Sequence, residues 1–173
     1  ATGDPMNFGI GATLFREFGE AFGTDAITIL PAPGAFSLAA ARLGWSLPET
    51  VCLSIHGRPL AALNLHIAPG AKLLILSENE HSPAEVAALL RQRGVGDSAV
   101  CVLEHLGGAD ESIRRTTAAD IGNSEKPAKL NTIAVACVAG PNARYYSRIG
   151  GLPDDAFEHD GQLTKQTVRA ATL

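Results

Sequence analysis

The chain has 173 residues, of which 46% are hydrophobic, and its 18 acidic and 14 basic side chains give a formal net charge of −4. This composition excludes a disordered chain and indicates a compact protein of one domain or two small ones. The acidic balance and the 5% aromatic content argue against nucleic-acid binding by charge or by base stacking, and no apolar run approaches the ~20 residues of a membrane-spanning helix.

Helix and strand patterns alternate from the start of the chain. Apolar residues three to four positions apart predict a helix over residues 12–22 that ends at Gly23. A continuous apolar run predicts a central parallel strand over residues 26–30, followed by a turn rich in proline and glycine. A second helix is predicted over residues 35–43, ending at Gly44.

The same alternation continues to the end of the chain and predicts an α/β fold, in which helices flank a mixed or largely parallel sheet. The strand over residues 112–117 is polar enough to be an edge or hairpin strand. Ser82, Pro83 and Glu85 predict a serine N-cap and a capping box. The remaining strands are predicted at residues 50–56, 73–76, 100–103 and 132–138, and the remaining helices at residues 59–66, 82–93 and 164–173.

The cysteines and histidines give no sign of a metal site or a disulfide. Cys52, Cys101 and Cys137 each lie in an apolar stretch, which predicts buried free thiols in a reducing compartment, the cytoplasm. The five histidines form no close-spaced ligand set, so the sequence predicts no metal site.

The opening residues 3–11, GDPMNFGIG, place three glycines around an acidic residue just before a helix. Glycines let a backbone approach a ligand closely, and the free N–H groups at a helix start favour an anionic group. Gly9-x-Gly11 is also half of a dinucleotide fingerprint, although Leu14 stands where the third glycine belongs. A tight turn without a ligand is the other interpretation.

Several strings in a fixed order resemble the tetrapyrrole methylase family over nearly the whole chain. They are GDPMNFGIG at residues 3–11, PAPGAFSLA at 31–39, RLGW at 42–45, SIHGRPL at 54–60, LEHLGG at 103–108 and GLPDDAFEHDG at 151–161. The resemblance implies methyl transfer from S-adenosylmethionine to carbon 5 of precorrin-6Y in cobalamin biosynthesis. It also implies a C-terminal domain that methylates carbon 15 and removes a carboxyl group, and an enzyme that pairs with itself.

The resemblance further implies three parts for this chain. Residues 1–33 are a remnant of an N-terminal subdomain, residues 34–148 a C-terminal subdomain, and residues 149–173 a linker and the start of a second domain. The absence of an initiator methionine at Ala1 and the helix that begins close to Leu173 agree with a middle piece of a larger enzyme.

The family's cofactor loops carry over to specific positions of this sequence, and they imply S-adenosylmethionine binding by Gly3, Asp4, Asn7, Gly34, Ala35 and Leu76. For Asp4, a hydrogen bond to the backbone of its own turn is an equal alternative. The substrate bears many carboxylates, so an acidic protein needs local basic groups to receive it. The guanidiniums of Arg58, Arg114 and Arg115 are predicted to bind it, with Arg144 and Arg148 as further candidates; an ordinary solvated role stays open for each.

Two other functions remain open on the sequence alone. The first is a non-catalytic α/β interaction module whose glycine turns are structural. The second is a nucleotide-binding oxidoreductase, which requires a βαβ unit with a third glycine.

Overall fold

The computed structural model describes residues 3–123, 126–146, 151–157 and 159–172. Among these residues, five strands form one mixed sheet in the order β1-β2-β5-β3-β4. Strands β1 and β2 are parallel, whereas β5 is antiparallel to both β2 and β3, and β3 is antiparallel to β4. The strands are β1 Thr50–Ser54, β2 Lys72–Leu76, β3 Ala99–Glu104, β4 Ser112–Thr117 and β5 Asn131–Ala136.

Four α-helices accompany this sheet in the described part of the chain: α1 Ile10–Phe22, α2 Ala35–Leu43, α3 Ser82–Gln92 and α4 Gln166–Ala171. Short 3₁₀ helices lie at Thr24–Ala26, Leu47–Glu49, Leu60–Leu65, Ile121–Asn123 and Asp154–Ala156. Each helix in these described ranges falls short of the length and hydrophobicity that crossing a bilayer requires.

The sheet is buried on both faces because successive side chains of a strand point in opposite directions. In β2, Leu73 and Ile75 pack in the cluster that includes Val86 and Leu90 of α3. Leu74, between them, packs in the cluster that includes Phe36 of α2. The continuous apolar run of β2 therefore reflects burial on two sides, as is typical of central strands.

Most predicted elements are confirmed. Helix α2 has the predicted bounds and ends at Gly44, which adopts a left-handed conformation at φ 66°. The polar strand β4 is an edge strand that pairs with β3 as a hairpin. The sheet is mixed rather than parallel because β4 and β5 run against the other three strands.

The predicted central strand over residues 26–30 is wrong. Its first residue ends the 3₁₀ helix Thr24–Ala26, and the residues after it have no regular secondary structure. Leu30 is 81% exposed. An apolar run predicts burial, but a strand also needs a hydrogen-bonding neighbour, and no described strand lies beside this segment.

The predicted serine cap of α3 is also wrong. Helix α3 begins at Ser82, and the preceding residue, His81, provides no side-chain cap. The Ser82 hydroxyl instead accepts hydrogen bonds from the backbone N–H groups of Glu78, at 3.0 Å, and Asn79, at 3.1 Å. Ser82 is fully buried, so it stabilises the turn before the helix rather than the helix end.

Candidate active site

A cleft of about 810 Å³ opens at one end of the strands of the sheet. The carboxyl ends of β1, β2 and β3 meet there with the start of β5, because these three strands run in one direction and β5 runs against them. Residues 3–9 and the first turns of α1 form the opposite wall. Ligands of open α/β sheets bind in this position, outside the carboxyl ends of the strands.

Buried polar groups hold the sheet side of the cleft in place. Asn131 is only 7% exposed. Its side-chain oxygen accepts a hydrogen bond from the Ser77 hydroxyl at 2.5 Å, and its Nδ2 donates to the carbonyl oxygens of Ala128, at 2.8 Å, and Asn79, at 3.2 Å. One side chain thus ties the loop after β2 to the loop before β5, and Ser77 and Asn131 both line the cleft.

On the opposite wall, Gly3 lies directly against Gly34. Gly3 has a φ of +81°, and a Cβ at this position would lie 3.3 Å from the Gly34 Cα. A Cβ at Gly34 would lie 3.5 Å from the Asp4 nitrogen. Asp4 Oδ1 accepts a hydrogen bond from the Met6 N–H at 2.9 Å, so Asp4 holds its own turn, as the alternative for this residue predicted.

The two later glycines of the opening segment have a packing role. The Gly11 N–H donates to the Pro5 carbonyl oxygen at 2.8 Å. A Cβ at Gly9 would lie 2.6 Å from that oxygen, and one at Gly11 would lie 2.8 Å from it. Residues 3–9 form turns rather than a strand, so Gly9-x-Gly11 lacks the strand of a dinucleotide fingerprint.

The structure brings together all six residues predicted to bind the methyl donor, since Gly3, Asp4, Asn7, Gly34, Ala35 and Leu76 line this cleft. Arg58 lines it as well. These residues come from the opening loop, the start of α2, the end of β2 and the loop after β1. Their predicted ligand roles depend on this convergence of four distant segments.

Arg114 and Arg115 lie elsewhere, on the edge strand β4, and neither lines the cleft. Arg114 Nε is 3.2 Å from Glu104 Oε2. Burial acts to raise the pKa of Glu104, but hydrogen bonds from the Ala128 N–H, the Ser112 hydroxyl and Arg114 outweigh it and lower that pKa. Because both arginines lie outside the cleft, their substrate-binding role stays a prediction without support from the position of the cleft.

The further candidates Arg144 and Arg148 do not extend the site. The Arg144 N–H donates to the Arg93 carbonyl oxygen at 2.9 Å, and Arg144 is not among the residues of the cleft. Arg148 lies outside the described residues.

Sequence reasoning missed several side chains that line the cleft, among them Phe8, Arg16, His56 and His105. Arg16 adds a second guanidinium to the cleft beside that of Arg58, in a chain whose formal charge is −4. His56 Nδ1 lies 3.5 Å from Glu78 Oε2. The string SIHGRPL held the signal for His56, two residues before Arg58, but Arg16 carries no motif and is found only through the fold.

A salt bridge connects α2 to the loop between β3 and β4. Arg42 Nε lies 2.5 Å from Glu111 Oε1 and Arg42 Nη2 lies 3.1 Å from Glu111 Oε2, which also accepts a hydrogen bond from the Gly107 N–H at 2.7 Å. The Arg42 hydrogen bond, together with the one from Gly107, lowers the pKa of Glu111. Helix α2, whose first residues line the cleft, is thereby held at its other end.

Comparisons with known proteins agree with this fold and cleft. The family model of tetrapyrrole (corrin/porphyrin) methylases matches residues 1–122. The chain is 43% identical to a precorrin-6Y C(5,15)-methyltransferase [decarboxylating] of Sinorhizobium, over all of this chain and 41% of the relative. It is 29% identical to a cobalt-precorrin-7 C(5)-methyltransferase of Salmonella typhimurium, over 65% of this chain and 53% of the relative.

A solved structure extends the likeness to three dimensions. The precorrin-6Y methylase of Archaeoglobus fulgidus is 30% identical and has a TM-score of 0.51, over 78% of this chain and 59% of that chain. Of the Sinorhizobium relative named above, the chain spans less than half of the length. Since the family model covers well over half of its residues, the chain belongs to the tetrapyrrole methylase family.

Proposed function

We propose that this protein transfers a methyl group from S-adenosylmethionine to carbon 5 of precorrin-6Y in cobalamin biosynthesis. The convergence of the opening loop, the start of α2 and the end of β2 on one cleft carries the proposal. Matches to proteins named precorrin-6Y methyltransferases support it at the level of the substrate. The relative named a C(5)-methyltransferase supports carbon 5 as the position modified.

The residues of the cleft fit the methyl donor. When bound, S-adenosylmethionine supplies an electrophilic sulfonium methyl group. Gly3 and Gly34 let the opening loop pack directly against the start of α2, and both loops line the cleft. Leu76 and Leu103 add apolar surface, whereas Ser77 and Asn131 add polar groups. The protein's task is to orient donor and substrate and to exclude water, and loops fixed by buried hydrogen bonds suit that task.

The basic lining fits the other substrate. A precorrin bears several carboxylates, and guanidinium groups bind carboxylates through charge-assisted hydrogen bonds. Arg58 and Arg16 line the cleft on different elements, the loop after β1 and helix α1. We therefore assign Arg58 to substrate binding, as the sequence predicted, and add Arg16.

We propose that methylation of carbon 15 and decarboxylation belong to a second domain, of which residues 149–173 are the start. The contacts of Arg169 support a separate unit here, since Arg169 Nη2 donates to the Leu152 carbonyl oxygen and to Asp154 Oδ1, each at 2.7 Å. In this proposal, the first methylase domain has two subdomains, formed by residues 1–33 and 34–148. We also propose that the full enzyme is cytoplasmic and forms a homo-oligomer.

Titration calorimetry with S-adenosylhomocysteine tests the donor site. We expect saturable binding that Gly34→Val weakens, because it adds a branched side chain where the start of α2 packs against the Asp4 loop, and both segments line the cleft. Gly122→Val is the matched control, since a Cβ at Gly122 would meet no atom within 4 Å and Gly122 does not line the cleft. Folded protein that does not bind, or that binds equally well with Gly34→Val, would contradict the proposal.

A further inference from the structure

The backbone of Phe8 is held in a conformation that aromatic residues rarely adopt. Its φ is +55°, in the left-handed region where side chains other than glycine and asparagine are uncommon. Such strain persists only where the surroundings impose it, and it concentrates at ligand sites. The Phe8 residue is also 47% exposed and lines the cleft, so the strain presents an aromatic ring to the cleft rather than to the core.

Two side chains fix the position of this ring. The Phe8 ring meets the Phe36 ring edge-to-face, with centroids 5.9 Å apart and an interplanar angle of 71°. Phe36 lies in the first turn of α2 and is 3% exposed, so it provides a rigid base. Arg58 Cζ lies 4.9 Å from the centroid of the Phe8 ring, a distance typical of a cation–π interaction.

We propose that Phe8 and Arg58 together form a platform for the macrocycle of the substrate, with the Phe8 ring stacking on a conjugated part and the Arg58 guanidinium receiving a carboxylate at the rim. This inference rests on the proposed function. Aromatic rings stack in offset or edge-to-face geometry, and a guanidinium can contact a ring while it hydrogen-bonds a carboxylate. The cation–π contact orients Arg58 before substrate binds, which lowers the entropy lost on binding.

The charges around the platform favour the macrocycle over the adenine ring of the methyl donor, which is also flat and conjugated. The guanidinium of Arg16 lines the same cleft as that of Arg58. A ligand with several carboxylates uses these groups, whereas adenine carries no negative charge. The donor residues Gly3 and Gly34 contact each other at the start of α2, and no basic side chain is needed there.

Separate titrations with precorrin-6Y and with S-adenosylhomocysteine distinguish the two ligands. We expect Phe8→Leu to weaken precorrin-6Y binding about tenfold, the size of one stacking contact, and to leave S-adenosylhomocysteine binding within about twofold of wild type. Phe8→Tyr keeps the ring and should bind both ligands normally. Phe8→Asn removes the ring but tolerates a positive φ, so it should fold and show the same selective loss as Phe8→Leu.

Phe157→Leu is the matched control. The Phe157 ring also lies beneath an arginine, with Arg169 Cζ 4.9 Å from its centroid, and Phe157 is 39% exposed but outside the cleft. This variant should bind both ligands normally. Equal losses for both ligands in Phe8→Leu and Phe8→Asn would overturn the assignment to the macrocycle, as would no loss for either. Wild-type protein that binds neither ligand would overturn the proposed function, and the platform with it.

Discussion

Arg42 and Glu111 are 69 positions apart in the chain, yet two nitrogens of the guanidinium face the two carboxylate oxygens, at 2.5 and 3.1 Å. Paired contacts of this kind are more specific than a single surface ion pair. The pair links the last turn of α2 to the loop that follows β3. It therefore helps to set where the first turn of α2 meets the cleft.

Glu111→Gln should lower the melting temperature of the protein, by an amount that depends on pH. The pKa of Glu111 is lowered in the folded state by the Arg42 hydrogen bond and the Gly107 N–H. The stabilisation is thus present above the ordinary glutamate pKa of about 4.3 and is lost as the pH falls through the folded-state value. Thermal unfolding of both proteins from pH 7 to pH 3 should show a difference that shrinks with acidity. Asp110→Asn is the control, and a constant difference would contradict this prediction.

Arg93→Leu should cost about 2–3 kcal/mol of unfolding free energy, because it removes several hydrogen bonds that a buried charged group donates. Arg93 is only 4% exposed. It donates to the carbonyl oxygen of Arg144 and to Asn64 Oδ1, and its Cζ lies 3.8 Å from the Tyr146 ring centroid. Urea denaturation measures the loss. Arg144→Ala keeps the acceptor carbonyl, so a similar loss in that variant would show that the Arg93 contacts are not the cause.

Gly94→Ala should destabilise the protein more than Gly70→Ala. Both glycines have nearly the same φ, +74° and +73°, so both substitutions carry a left-handed strain of about 1–2 kcal/mol. A Cβ at Gly94 would also lie 2.5 Å from the Asn142 carbonyl oxygen, whereas one at Gly70 would meet nothing within 4 Å. Equal losses in chemical denaturation would contradict the close approach of residues 94 and 142.

Asn131→Asp should cost about 2 kcal/mol at neutral pH, since it places a carboxylate oxygen against acceptors that now receive hydrogen bonds. The Nδ2 group donates to the Ala128 and Asn79 carbonyl oxygens. Protonation of the new carboxyl restores one donor, so the loss should become smaller at acidic pH. Urea titrations at pH 7 and pH 4 measure both values, and a loss that does not change with pH would count against the hydrogen-bond explanation.

Local signals account for the parts of the fold that the sequence predicted well. Helix α2 lies between Gly34 and Gly44, and Gly44 ends the helix in the left-handed conformation that glycine favours. The donor loops were found because Gly3, Asp4 and Gly34 stand in recognisable strings. The family resemblance therefore identified the candidate site residues, and the fold places them around one cleft.

The local sequence pattern could not predict structural features that depend on residues far away in the chain. Residues 26–30 have the composition of a central strand but no described neighbour to pair with. Arg93 resembles any basic residue near a helix end, and its burial follows from the segment around Arg144 and Tyr146. In the sequence, Arg16 looks like an ordinary exposed residue of a helix. It reaches the cleft only because α1 lies across the cleft from the ends of the strands.

The position of β5 in the sheet has a consequence for how the protein forms. β5 is the last of the five described strands, yet it lies between β2 and β3. The β1–β2 pair and the β3–β4 hairpin therefore remain two separate sheets until Asn131–Ala136 joins them. Non-local pairing of this kind slows folding. During synthesis on the ribosome the cleft, which lies across this junction, is thus completed only after residue 136 has emerged.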